Sequence, residues 1–460
     1  MTRAILVLWA VAWVAAAQPF SRPVLADYAG ALREPEPRAD GIRHVDSPAL
    51  LAKLKDLGVN TYVYLIWHAP SDWDDLRLEF LPAAQKAGIN VWAYLVPPSE
   101  CRPNCSLPFE QDYLRWGEEL ARLSLAYPNL EAWAIDDFNY NLKFFTPEYL
   151  AKMREASGRI NPRLAFLPQL YFQSITPEFL KAYAPVIDGV IFAFRDDPYR
   201  NTLVTATIRE QLDRTSERLG AHNRALILMI YAARLSRAEA PPSPGYLRET
   251  VGAGLDYLKA GKIAGVCTYV LPKDPRPEPA SLNRAHSGLG RALISVPPGG
   301  KTEAGAYAEV VTAAKPSPAA ARSLSFQARL ASPAPSSRKG VRFLQVLWDG
   351  AVVREWDVTE WKAGEWITVS TGLPESEEER SGLAFRLTDK SAAAAFPVDL
   401  SLDSIVPHGF RIADPGFEQP RDWRIRRTHP AFLASIDVFD PERPARCFEA
   451  VRELFIKYRP

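Results

Sequence analysis

Leu130-Glu131-Ala132-Trp133-Ala134-Ile135-Asp136-Asp137-Phe138-Asn139-Tyr140-Asn141 is the stretch on which the reading of this chain turns. An apolar run, residues 132–135, ends on two adjacent carboxylates. The run is too short for a helix standing alone, and it is entered from Pro128-Asn129. Both features predict a buried strand. A strand with a dry body and a polar tip suits a parallel α/β barrel, where such tips line the active site. The other reading is that the Asp pair caps the following helix. Thr146, with Pro147 and Glu148 behind it, is the better cap.

Working outward, similar units recur on both sides. Strand signals fall at residues 23–32, 60–68, 89–96, 130–137, 163–172, 188–194, 224–232 and 263–271. Helical periodicity falls between them, at 47–57, 76–87, 108–126, 147–157, 177–183, 203–219 and 244–260. Gly58, Gly88 and Gly261 act as stops. Eight strands alternating with helices predict an α/β fold, a (β/α)8 TIM barrel, over residues 18–296. A doubly wound open sheet is the rival. It would more often show a glycine-rich phosphate turn after the first strand, which the sequence lacks.

Pro297-Pro298-Gly299-Gly300 reads as a linker, and helical periodicity stops there. Short alternating runs follow, separated by turns such as Asp349-Gly350, and predict a jelly-roll-like β-sandwich over 297–412. Residues 413–460 are too few for a core of their own. They are expected to pack back as an extension with a terminal helix at 444–458.

The first residues carry Arg3, an apolar stretch at 4–14 and Ala15-Ala16-Ala17. This predicts a signal peptide, residues 1–17, and a secreted or periplasmic protein with no membrane span after cleavage. Net charge is +1, from 55 Lys and Arg against 54 Asp and Glu, and gives no reason to expect nucleic acid as a partner. Cys101 and Cys105 are close enough for a loop disulfide in an oxidising compartment. A zinc site is not expected, since no paired His follows at ligand spacing. Cys267 reads as a core thiol. No cofactor or metal is called for.

Reactive groups of a barrel stand at its strand ends. Those ends offer Asp27 and Tyr28, then Trp67 and His68, then Tyr94 with Glu100 beyond it. The fourth offers Asp136, Asp137, Asn139 and Asn141, and the fifth Gln169 and Tyr171. The last three offer Arg195, Asp196 and Asp197, then Tyr231 and Arg234, then Tyr269, Lys273 and Asp274. The set is rich in carboxylates and aromatics and has no nucleophile elbow or phosphate cradle. Carboxylates among Trp and Tyr suit carbohydrate chemistry, since two of them can supply a proton and a base or nucleophile at an anomeric carbon. The expected partner is an oligo- or polysaccharide. Asp136 and Asp137 are the catalytic candidates. Substrate-binding candidates are Asp27, Tyr28, Trp67, His68, Tyr94, Asn139, Gln169, Tyr171, Arg195, Asp196, Tyr231, Tyr269 and Lys273. Successive strand residues face opposite ways, so both Asp can serve one ligand only where the strand breaks. There, like charge should raise one pKa.

Asp136-Asp137 after the fourth strand resembles the glycosidases that use substrate-assisted catalysis, the O-GlcNAcase-like hexosaminidases, with chitinases and β-hexosaminidases as broader relatives. The resemblance implies that Asp136 polarises a 2-acetamido group and Asp137 protonates the leaving oxygen. Val346-Leu347-Trp348-Asp349-Gly350 and Phe396-Pro397-Val398-Asp399 look like the accessory jelly-roll modules of secreted glycosidases. Two other readings stand beside this one. The first is a non-catalytic sugar-binding barrel. The second is a glycosidase pairing Asp137 with Asp196 or Glu100.

Overall fold

The computed structural model describes residues 19–20, 22–197, 202–234, 241–296, 301–317, 321–331, 338–375, 381–392 and 397–458. The expected leader at 1–17 and the linker at 297–300 lie outside the described residues. The parallel part contains β1 (Val24–Tyr28), β2 (Thr61–Ile66), β3 (Asn90–Leu95), β4 (Leu130–Ile135), β5 (Ala165–Phe166), β6 (Gln169–Leu170), β7 (Gly189–Phe194), β8 (Ala225–Tyr231) and β9 (Gly265–Tyr269). They form a nine-stranded sheet in the order β5-β4-β3-β2-β1-β9-β8-β7-β6.

A closed barrel of eight continuous strands was expected; the hydrogen-bonded sheet is instead open and nine-stranded, and the fifth strand is the reason. It is broken into β5 and β6 at Leu167-Pro168, because proline has no N–H to give to a ladder. The path therefore begins and ends within one short segment, and the ladder is interrupted there. Main-chain bonds leave this segment both ways. Leu167 N–H donates to Trp133 O, while Asp188 N–H donates to Phe166 O and Ile191 N–H to Pro168 O.

Between the strands run α1 (Ser47–Leu57), α2 (Asp72–Asp74), α3 (Leu81–Ala87), α4 (Tyr113–Ala126), α5 (Pro147–Gly158), α6 (Pro177–Tyr183), α7 (Ile208–Gly220) and α8 (Pro244–Lys259). Local chemistry sets their ends. Thr146 caps α5 by accepting from Tyr149 N–H, and Gly58 and Gly88 end α1 and α3 in the left-handed region. At α1 the cap is Asp46, whose side chain accepts from Ala49 N–H. The helix expected from 108 begins at Tyr113, because Asp112 takes the cap position and accepts from Arg115 N–H.

Strand alternation divides the apolar residues into two cores. Ala26, Tyr28, Val63, Trp92, Tyr94, Ala132, Ala134, Ile191, Met229 and Tyr231 share the inner face. Leu25, Tyr62, Tyr64, Trp133, Ile135, Phe192 and Leu228 pack outward against the helices.

The antiparallel part begins before the expected boundary. β10 (Gly290–Val296) pairs with β17 (Val398–His408) and β20 (Leu433–Val438). With β12 (Arg322–Leu330) and β15 (Trp366–Leu373) they make a five-stranded sheet, β15-β12-β17-β10-β20. The facing sheet has the order β14-β13-β16-β11-β18. Its strands are β11 (Tyr307–Pro316), β13 (Arg342–Trp348), β14 (Ala351–Asp357), β16 (Ser381–Asp389) and β18 (Phe410–Ile412). β19 (Arg424–Arg427) also pairs with β11. One apolar core lies between the sheets and takes Ala292, Ile294 and Val296 from β10.

The expected extension at 413–460 therefore splits. β19 and β20 complete the sandwich. The final helix, α9 (Arg443–Tyr458), returns to the barrel, where Cys447, Phe448, Val451 and Phe455 enter the outer core. No helix among the described residues is long and apolar enough to cross a membrane.

Candidate active site

Asp136 continues the β4 ladder by one residue, donating its N–H to Leu95 O at 3.0 Å. Its side chain is on the inner face with Ala132 and Ala134. Asp137 should then point outward, but it adopts φ +37°, ψ +38°. The chain leaves the strand in a left-handed turn that a non-glycine residue takes only under constraint. Three hydrogen bonds supply the constraint. Asp137 N–H donates to Asp136 Oδ1 and to Gln169 Oε1, both at 2.9 Å, and Asn141 Nδ2 donates to Asp137 O at 3.0 Å.

The two carboxylates face different partners. Tyr94 OH donates to Asp136 Oδ1 at 2.8 Å, so that oxygen takes two donors. Asp136 Oδ2 is left to carry a proton. Tyr171 OH donates to Asp137 Oδ1 at 2.6 Å. Burial, then the charges of Asp137 and Glu100, push the Asp136 carboxyl up to about 8. Asp136 is thus the protonated member near neutral pH, which is the split expected of adjacent acids.

A wall of tyrosines surrounds the pair. Tyr28 packs on Tyr94 at 4.5 Å and on Tyr269 at 5.0 Å, and Tyr269 on Tyr231 at 4.7 Å. Tyr231 and Tyr171 bring their hydroxyls within 3.4 Å. Burial holds all five phenols above their ordinary range, so they remain donors. The Arg195 guanidinium lies 3.2 Å from the Tyr171 ring centre and is held by Asp197 and Tyr140 OH, both at 3.0 Å. Gln169 Nε2 is buried without a partner among the described residues, as is Asn139 Oδ1.

Glu100 joins the site from the β3 side. Ser99 and Asn141 exchange two hydrogen bonds, at 3.1 and 2.9 Å, which fasten the turn Pro98–Glu100 to the turn Phe138–Asn141. Burial and then Asp137 raise the Glu100 carboxyl. Cys101 and Cys105 are disulfide-bonded directly behind it. Trp67 Nε1 donates to Asn104 O in that loop, at 2.9 Å.

Other candidates stand elsewhere. Asp27 and Lys273 are fully buried and paired with each other, with Thr268 OH on Asp27 Oδ1 at 2.6 Å and Lys273 Nζ on Ala29 O. Asp27 alternates with the inward Tyr28 and so faces the helix layer, away from the tyrosine wall. Asp196 accepts from Thr207 OH, just before α7. His68 is exposed beside Trp67, with ring centres 5.3 Å apart. Asp274 pairs with exposed Arg276, and Arg234 lines a separate cavity. Tyr140 was missed, although it lies in the decisive stretch itself.

One trio could be taken for a metal site, His44, Asp75 and Glu79. Both His44 ring nitrogens already face carboxylates, Asp75 Oδ1 at 2.5 Å and Asp40 Oδ2 at 2.8 Å. The ring's charged form is favoured despite its burial, through the bonds to Asp40 and Asp75. An imidazolium has no lone pair for a cation.

No protein-family model and no curated protein matches the sequence. The solved structures to which the chain is similar include three glycosidases. β-Glucuronidase 2 of Bacteroides uniformis has 9% identity over 84% of this chain and 65% of that one, with a TM-score of 0.42. A glucosidase from Croceicoccus marinus has 12% identity over 80% and 96%, with a TM-score of 0.39. A β-D-glucuronidase of Dictyoglomus thermophilum has 14% identity over 55% and 44%, with a TM-score of 0.37. The chain spans less than half of that last enzyme's length.

Proposed function

We propose that this chain is an exported glycoside hydrolase in which Asp136 and Asp137 act together at one glycosidic bond. The observation that carries the reading is the division of labour between two adjacent carboxylates. Asp136 keeps a proton near neutral pH, and its Oδ2 takes neither of the two hydrogen bonds that Oδ1 accepts. Asp137 is held by Tyr171 as its negative neighbour. A general acid that must protonate a departing oxygen needs this kind of raised pKa. Tyrosine faces offer apolar surface to a sugar ring, and their hydroxyls, with Gln169, offer hydrogen bonds to its polar edge.

The hexosaminidase-type resemblance gives Asp137 as the acid and Asp136 as the polarising residue. The hydrogen bonds favour the opposite assignment. Asp136 Oδ2 gives its proton to the glycosidic oxygen as the C1–O bond breaks. In a substrate-assisted reaction on a 2-acetamido sugar, the acetamido oxygen forms the new bond to C1, and Asp137 accepts from the acetamido N–H. Asp136, now ionised, takes a proton from the water that reopens the ring. A second reading is favoured by the Asp137 charge felt at Glu100. In it, Asp137 and Glu100 form a pair across the cleft with Asp136 as support.

Aryl glycosides with good and poor leaving groups separate these readings. Asp136→Asn should lose poor leaving groups most and partly spare good ones. Asp137→Asn should slow both. Loss in Glu100→Gln equal to that in Asp136→Asn would move the assignment to the Glu100 pair. Saturable sugar binding by a wild type that turns over no glycoside would make this a non-catalytic barrel.

A further inference from the structure

A cavity of about 230 Å³ lies between the barrel and the sandwich, and neither Asp136 nor Asp137 lines it. Its walls come from the chain after β8, the chain after β9, the ends of β10 and β20, and the first turns of α9. Four arginines face it, Arg234, Arg284, Arg291 and Arg443, against Glu278 and Asp437. Glu278 feels Arg443 and Arg234, and Asp437 pairs with Arg291 and Arg443, so two acids serve four guanidiniums. Arg291 is buried and engages Asp437 Oδ2 through Nε at 3.2 Å and Nη2 at 3.1 Å, with Ser401 OH on Nη1. Asp437 is thereby neutralised from inside.

Arg443 reaches the same carboxylate only at 3.5 Å and otherwise donates to Val438 O. Arg284 donates to Ser281 O, and Arg234 has no hydrogen-bond partner among the described residues. The start of α9, a helix of 16 residues with no acid in its first turn, adds positive potential on the same side. Phe439, Pro242 and Leu282 give the cavity apolar surface. Its volume is below the roughly 300–1,000 Å³ of drug-sized pockets, which suits one ring.

We infer that this cavity binds the carboxylate of a sugar-sized organic anion, a uronic acid. Guanidinium groups with N–H donors to spare take a planar carboxylate in two parallel hydrogen bonds. The apolar wall takes the C–H face of the ring. The same chemistry is offered by a free sugar acid and by the acidic end of a glycan. The inference does not depend on the barrel being catalytic.

Calorimetric titration of the full chain with D-glucuronate, D-glucose and digalacturonate tests it. Glucuronate should bind saturably and glucose at least ten-fold more weakly. Arg234→Gln and Arg284→Gln, which remove partly or fully exposed guanidiniums, should each weaken glucuronate roughly ten-fold with the melting temperature unchanged. Asp136→Asn should bind glucuronate as the wild type does, whether or not the barrel turns over a glycoside. Digalacturonate binding at least as tightly as glucuronate would identify a glycan end as the ligand, and glucuronate alone would identify a free acid. Absent saturable binding, equal binding of glucose and glucuronate, or wild-type affinity in both arginine variants would overturn the inference.

Discussion

The tips of β1 and β4 both carry an acid, and the two acids have opposite fates. Asp27 is sealed between β1, β9 and the helix layer, matched by Lys273 and satisfied by Thr268 and Leu271 N–H. Asp136 opens into the tyrosine wall beside a second acid and has no cation against it in the described residues. The β1 acid is paired and structural: burial raises its carboxyl, and the Lys273 charge with the bonds from Lys273, Thr268 and Leu271 opposes that. The β4 acid is protonated and chemically available. Residue type does not separate them. Strand parity does, because Asp27 alternates with an inward Tyr28 whereas Asp136 alternates with an outward Ile135. A one-residue change of phase moves a carboxylate from a salt bridge to a site.

The largest effect should come from breaking the β4 pair. Asp136→Asn should lower turnover of glycosides with poor leaving groups by about 10²–10⁴-fold, the usual weight of general acid help. Steady-state rates over a leaving-group series check this. Turnover in the wild type should also fall as pH rises through about 8, where Asp136 gives up its proton. A profile flat to pH 10 would remove Asp136 as the acid.

Breaking the β1 pair should cost stability and leave no such leaving-group pattern. Lys273→Met strands Asp27 as an unmatched buried acid, which costs about 3–5 kcal/mol. Urea unfolding measures it. The double variant Asp27→Asn with Lys273→Met should recover much of the loss, because no buried charge is then left without its partner. A double variant as unstable as Lys273→Met would mean that packing, not charge, is what Lys273 supplies.

Period-two alternation is visible in the sequence at both tips. At β4 it raised the question of how two adjacent acids could share a ligand, which the left-handed turn at Asp137 answers. At β1 the same alternation would have separated Asp27 from Tyr28. Lys273 lies 246 positions later, and nothing local marks it as the partner. The break in the fifth strand was legible in Pro168, which cannot donate to a ladder. β10 was not. Gly290–Val296 is an apolar run directly after barrel elements, and what assigns it to the sandwich is pairing with β17 about a hundred residues on. β19 is four consecutive exposed residues, Arg-Ile-Arg-Arg, with no apolar alternation to reveal it.

A third, smaller effect separates the two acids by pH. The Asp136 carboxyl holds its proton more tightly folded than unfolded. Between about pH 4 and pH 8 the folded chain therefore binds one proton that the unfolded chain has released. Stability falls as pH rises through that window. Asp136→Asn has no proton to lose there, and its amide keeps an oxygen for Tyr94 and Asp137 N–H. Between pH 5 and pH 8.5 the wild type should lose at least about 1.4 kcal/mol more than Asp136→Asn, the worth of one pKa unit. Denaturant unfolding at the two pH values gives the difference. Parallel curves would show that folding does not raise the Asp136 pKa.

The smallest effect concerns the loop that brings Glu100 to the mouth. The Cys101–Cys105 disulfide closes only a few residues, so its loss should cost about 2 kcal/mol or less. The Tyr94–Asp136 and Tyr171–Asp137 bonds involve neither cysteine, so Cys101→Ser with Cys105→Ser should keep them. What loosens is the loop holding Asn104 against Trp67 and following Glu100. KM for an oligosaccharide should rise several-fold, while kcat on a small aryl glycoside with a good leaving group stays within about two-fold. If Glu100 is instead the second catalytic carboxylate, kcat on that small substrate should fall along with affinity. The ratio of the two effects then says whether the β3 side of the mouth holds the glycan or takes part in the bond cleavage.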